Sequence, residues 1–117
     1  VDRPQREARR QENQVASRLG GRVTPASGSG GIKNDVRSPE WSVEIKSTSR
    51  KAFPANRDVI ETAEKQALRD GRRFALFAAF LTPGKPAKRY VLTSEDDWIE
   101  LTERLKSLES VLEGRDV

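Results

Sequence analysis

Eight consecutive apolar residues, Phe74-Ala75-Leu76-Phe77-Ala78-Ala79-Phe80-Leu81, constrain this chain more than any other stretch. The run is far too short to span a membrane, and Thr82-Pro83-Gly84-Lys85-Pro86 ends it with turn chemistry. It reads as a central strand buried on both faces. Residues 58–70 form the helix before it. Ile60, Ala63 and Ala67 face inward, Asp58 and Glu61 are placed as an N-terminal capping pair, and Gly71 is the stop. A right-handed crossover through this helix makes the strand before it parallel to Phe74–Leu81.

That earlier strand is Trp41-Ser42-Val43-Glu44-Ile45-Lys46-Ser47. Trp41, Val43 and Ile45 share one parity and enter a core, while Glu44 and Lys46 lie side by side on the other face, about 6.7 Å apart along the backbone. Residues 33–46 read as a hairpin whose first arm carries Asp35. Two carboxylates and an ammonium at this spacing suit a hard divalent cation and a phosphate.

The N-terminal region supplies a helix over residues 5–19, with Ala8, Val15, Ala16 and Leu19 on one face. Glu12 falls on that same face, where a carboxylate is costly unless it meets a cation or a water-filled cleft; the plainer alternative is the edge of the stripe. Arg6, Arg9 and Arg10 give the helix a basic flank suited to phosphate contacts. Gly20-Gly21 closes it. After Arg22-Val23-Thr24-Pro25, the loop Ala26-Ser27-Gly28-Ser29-Gly30-Gly31 is either a phosphate cradle or a flexible linker. It is not a nucleotide-binding P-loop, because the Lys-Ser/Thr pair and the following helix are absent. Thr48 opens a basic, hydroxyl-rich segment. Lys65 and Gln66 lie on the second helix, with a solvated face as their default.

Arg89-Tyr90-Val91-Leu92-Thr93 forms a further strand, and Ser94 caps a last helix over residues 95–112 with Glu95, Asp96 and Asp97 in its first turn. Trp98, Leu101, Leu105, Leu108 and Leu112 step by three and four, a stripe expected to pack on the domain's own sheet. A heptad-like seam between two protomers is the alternative.

The 117 residues form one domain, 1–117, with a single core. Neither His nor Cys occurs, which excludes Ser-His and Cys-His triads and zinc sites built on those ligands. Catalysis therefore falls to carboxylates, Lys, hydroxyls or a hard metal. Residues 1–57 hold 12 basic and 6 acidic residues, net +6, whereas residues 58–117 hold 10 and 12, net −2. The basic half also holds the candidate site, so a polyanion such as nucleic acid is the natural partner, against ordinary solvated charge as the alternative. With no membrane span and no signal peptide in this sequence, a cytoplasmic setting in a prokaryotic or phage-infected cell is expected.

The order helix-Glu, Ser/Gly loop, strand-Asp, strand-Glu-x-Lys, helix, strand resembles the PD-(D/E)XK nuclease superfamily. Leu19-Gly20-Gly21-Arg22, Pro25-Ala26-Ser27-Gly28-Ser29, Lys33-Asn34-Asp35-Val36 and Glu44-Ile45-Lys46-Ser47-Thr48 are similar to its archaeal and phage Holliday-junction resolvase branch. The resemblance covers roughly residues 6–81 and leaves the C-terminal helix outside. It implies an α/β, restriction-endonuclease-like αβββαβ core: a mixed central sheet flanked by helices, with an extra C-terminal helix. One departure stands out: phage-type members carry Lys-Gly-Asp where this chain has Lys33-Asn34-Asp35, and Asn is expected to tolerate the positive φ that glycine supplies.

The implied activity is Mg²⁺-dependent hydrolysis of DNA phosphodiesters, with Mn²⁺ as substitute. Asp35 and Glu44 chelate the cation, the Ile45 carbonyl adds a ligand, and Glu12 binds a second ion or positions a water. Lys46 holds the attacking water or neutralises the transition state. Ser27, Ser29 and Lys33 contact substrate phosphates, with Arg6, Arg9, Arg10 and Thr48 as further contacts. The expected substrate is a four-way junction, cut by a homodimer whose two-fold axis supplies two symmetric sites. The alternatives are a nuclease for other branched, flap or nicked DNA, a catalytically silent DNA-binding module, and an interaction domain using the leucine stripe.

Overall fold

A computed structural model describes residues 3–25, 34–53 and 55–114. The order is α1 (Arg3–Leu19), β1 (Arg22–Val23), β2 (Val36–Arg37), β3 (Trp41–Thr48), α2 (Arg57–Arg69), β4 (Arg73–Phe80), β5 (Lys88–Leu92) and α3 (Glu95–Leu112). The strands form one mixed sheet in the order β1-β2-β3-β4-β5. β3 and β4 are parallel, as the crossover through α2 requires, and the other pairs are antiparallel.

The apolar run behaves as its composition demands. Phe74, Ala75, Leu76, Ala78 and Ala79 are all buried. Alternation along β4 divides them between two cores. Ala75, with Val43 and Val36, meets Val15 and Ala16 of α1. Phe74 and Leu76 meet Ala63 and Ala67 of α2. The sheet is thus covered by one helix on each face.

Local chemistry sets the boundaries of these elements. α1 stops at Gly20, whose φ of +65° suits glycine. Gly21 is required for a different reason, because a Cβ there would lie 2.4 Å from the Arg37 carbonyl oxygen of β2. α2 is capped by Asn56, whose side chain accepts the Val59 N–H at 3.0 Å. The expected Asp58–Glu61 capping pair is therefore corrected: Asp58 lies in the first turn, and Glu61 pairs with Arg57.

Two expectations about helix faces are also corrected. On α1, Ala8 is exposed and Gln11 takes the buried position, because an amide can satisfy its polar atoms there. On α3, the stripe does not pack on the sheet, and no residue of the helix is buried. Both faces of β3 and β4 are already occupied by α1 and α2. α3 is instead tied down by ions: Arg73 contacts Asp97 at 2.6 Å and Glu100 at 2.5 Å, and Arg104 contacts Glu40 at 2.5 Å. Trp98, Leu105, Leu108, Val111 and Leu112 remain more than half exposed, as do Tyr90 and Val91 of the edge strand β5.

Candidate active site

Asp35 is held by its neighbours on both strands. Its backbone carbonyl accepts the Thr24 N–H at 2.8 Å, and its carboxylate Oδ2 accepts the Ile45 N–H of β3 at 2.8 Å. Asn34 is a clamp behind it. The Asn34 side chain is 1% exposed, and its amide donates to Ser42 Oγ at 2.8 Å and to the Ala63 carbonyl of α2 at 3.1 Å. The expected positive φ at Asn34 is not found, since among the described residues only glycines adopt one. The side chain larger than glycine is thus absorbed between sheet and α2.

Glu44 projects from β3 beside Asp35. Burial, a hydrogen bond with Asp35 and the Asp35 charge push the Glu44 carboxyl up to about 8, against the opposing pull of Lys46 and the Ile45 backbone. Each of the three raising effects favours the protonated form of Glu44. Glu12 of α1 is half-buried, and its carboxyl is raised by burial and then by the Asp35 charge, while Arg9 lowers it. The three carboxylates thus sense one field. Among the described residues, however, no three acidic groups come close enough to grip an ion by themselves.

Ile45 and Lys46, next to Glu44, line a cleft of about 1310 Å³ whose walls include α1, the end of β3 and residues 81–87, whereas Asp35 and Glu44 themselves are outside its lining. Glu12, Ile45, Lys46 and Thr48 line it, together with Arg10, Arg18, Lys85 and Arg89. The cleft lies at the carboxyl ends of the parallel strands β3 and β4, where open α/β sheets place their ligands. A second cavity, of about 720 Å³ at the opposite end, is lined by Glu40, Arg73, Asp97 and Arg104. Those four charges neutralise one another in ion pairs.

The structure brings Asp35 and Glu44 together, with Lys46 acting on Glu44 and Glu12 near enough to feel Asp35. Of the basic flank, Arg10 lines the cleft, whereas Arg6 and Arg9 are exposed outside its lining. Ser27, Ser29 and Lys33 lie outside the described residues. The sequence reading missed Arg89, whose Nη1 donates to Gln11 Oε1 at 2.6 Å and Gln14 Oε1 at 2.9 Å. A polar Gln11 on the apolar face, four residues before Val15, was the available signal.

The donor set fits one hard divalent cation. Mg²⁺ takes one or two carboxylates and completes its shell with waters and substrate phosphate oxygens, which suits a carboxylate pair beside an open cleft. No family model and no curated protein matches the chain.

Proposed function

We propose that this chain is a metal-dependent DNA endonuclease with a restriction-endonuclease-like core, acting on branched DNA and foremost on four-way junctions. The observation that carries it is the half-buried Asp35–Glu44 pair, whose neighbours Ile45 and Lys46 line a cleft together with Arg10, Arg18, Lys85 and Arg89. Asp35, Glu44 and the Ile45 carbonyl would hold Mg²⁺ or Mn²⁺. When bound, the ion supplies Lewis-acid activation of a water and charge neutralisation at the phosphate.

The protein's own groups do the rest. The Ile45 N–H fixes one Asp35 oxygen and so orients the carboxylate. Glu44 gives up its proton when positive charge arrives, because its raised affinity for that proton comes from burial and from Asp35. Lys46 orients the attacking water and stabilises negative charge developing on the phosphorane oxygens. Glu12 positions a water at the cleft wall, and Arg10 with Thr48 steadies the flanking backbone.

Two observations favour a homodimer. Trp98, Leu105, Leu108, Val111 and Leu112 of α3, with Tyr90 and Val91 of β5, are more than half exposed, an uncovered apolar surface of the kind a second apolar surface closes. The stripe of α3 also steps by three and four, the spacing that a heptad-like seam between two protomers uses. No helix among the described residues is long and apolar enough to cross a membrane. An enzyme of this kind would work in the cytoplasm of a prokaryotic or phage-infected cell, where its DNA lies.

A silent DNA-binding module is the second reading, favoured by the absence of a three-carboxylate grip. Incubation of labelled four-way junction, flap, nicked, linear duplex and single-stranded DNA with Mg²⁺ or Mn²⁺ separates the two. Paired symmetric nicks near the branch point, lost in Glu44→Ala, are expected. Cleavage confined to other structures would keep the nuclease and remove the junction assignment. Tight binding without cutting in either metal would favour the silent module.

A further inference from the structure

Arginines in this chain are treated in two ways. Arg37 and Arg72 pair with Asp70, Arg57 with Glu61, Arg104 with Glu40, and Arg73 with Glu40, Asp97 and Glu100. Arg89 has no carboxylate within ion-pair distance among the described residues. Among the described residues only two neutral amides hold it, through a single nitrogen, Nη1. Gln11, 2% exposed, is itself locked, because its Nε2 donates to Glu7 Oε1 at 3.0 Å and so turns Oε1 toward Arg89. Burial and the like charge of Arg18 push the Arg89 guanidinium below its ordinary range, the opposite of what the carboxylates do to Arg73.

A half-buried cation without a counter-ion is costly, and nothing in the cores requires this one. The amides orient it without neutralising it. Its other edge, Nε and Nη2, donates to no described residue, and that edge is the fork that can donate to two phosphate oxygens. Arg89 lines the same cleft as Glu12 and Lys46, and Arg18 adds a second positive charge nearby.

We infer that Arg89, aimed by Gln11 and Gln14, binds a non-scissile phosphodiester group of the DNA substrate in this cleft. The inference rests on the nuclease reading for the identity of the ligand. Substrate phosphate supplies the counter-ion that the fold withholds. Gln14 is the more accessible of the two amides and gives a variant that keeps Arg89 in place. Gln14→Glu would provide an internal carboxylate and satisfy the guanidinium before DNA arrives.

The test is fluorescence anisotropy of labelled four-way junctions in EDTA, over a series of NaCl concentrations and with two unrelated DNA sequences. Circular dichroism checks the fold of each variant. Arg89→Gln and Gln14→Glu are each expected to bind roughly tenfold more weakly at low salt. Their salt dependence should be shallower by about one phosphate contact, a slope change of ~0.9, on both sequences. If wild type binds and folded Gln14→Glu and Arg89→Gln match it at every salt concentration, the inference is overturned while the nuclease reading stands. A loss confined to one sequence would also overturn it, because it would mark base readout rather than phosphate. A wild type that binds no DNA at low salt would remove the nuclease reading, and this inference with it.

Discussion

The two ends of this sheet are held by opposite means. Along the cleft side of β3 and β4, like charges are brought together: Asp35 acts on Glu44 and Glu12, and Arg89 has no carboxylate within ion-pair distance among the described residues. At the other end, charge is fully paired around Arg73, while the apolar surface of α3 is left uncovered. Each end thus lacks the complement it would need in isolation. Unmatched charge calls for ions and phosphates, and uncovered apolar surface calls for another apolar surface. The comparison separates chemistry from assembly within one small domain.

The largest expected effect breaks the charged end. Lys46→Ala should lower single-turnover cleavage of a four-way junction by 10²-fold or more, without changing sedimentation behaviour. Leu105→Glu should do the reverse, weakening self-association by about 2 kcal/mol or more while the monomer stays folded. Sedimentation equilibrium measures it, and an unchanged mass would remove the assembly role of α3.

Core packing sharpens the contrast further. Leu76 is fully buried between sheet and α2, so Leu76→Ala should cost about 2–5 kcal/mol in urea denaturation. Leu108→Ala on α3 should change monomer stability by no more than about 0.5 kcal/mol. Equal costs would mean that α3 packs on the domain after all.

A smaller effect concerns pH. The folded protein retains the Glu44 proton up to about 8, whereas the unfolded chain releases it near 4.5. Between those values the native state binds more protons, so metal-free stability should fall as pH rises through this window. Glu44→Gln should flatten that slope in EDTA, as read by melting temperature. The smallest change is expected from Arg104→Ala, whose exposed pair with Glu40 contributes less than about 1 kcal/mol.

Much of the fold was legible because it rests on periodicity. The apolar run gave β4, alternation gave β3, and the crossover gave their parallel pairing. Asp35, Glu44 and Lys46 were legible as a spacing, and folding adds the Ile45 N–H contact to Asp35 and the burial that raises Glu44. Arg89 was not, because its significance depends on a long-range partner, 78 residues away at Gln11. The α3 stripe misled for a related reason. Helical periodicity reports that a face is apolar, not which surface covers it. Asn34 likewise looked like a turn residue and is instead a buried clamp on α2.

The most direct test of the central claim is calorimetric titration of Mn²⁺ into the metal-free protein at pH 7, in two buffers of different ionisation enthalpy. The account predicts one saturable site whose binding releases close to one proton, because Glu44 must ionise to receive the cation. That site should vanish in Asp35→Ala. Absence of saturable heat in wild type, or an unchanged site in Asp35→Ala, would contradict the assignment of the Asp35–Glu44 pair as a cation site.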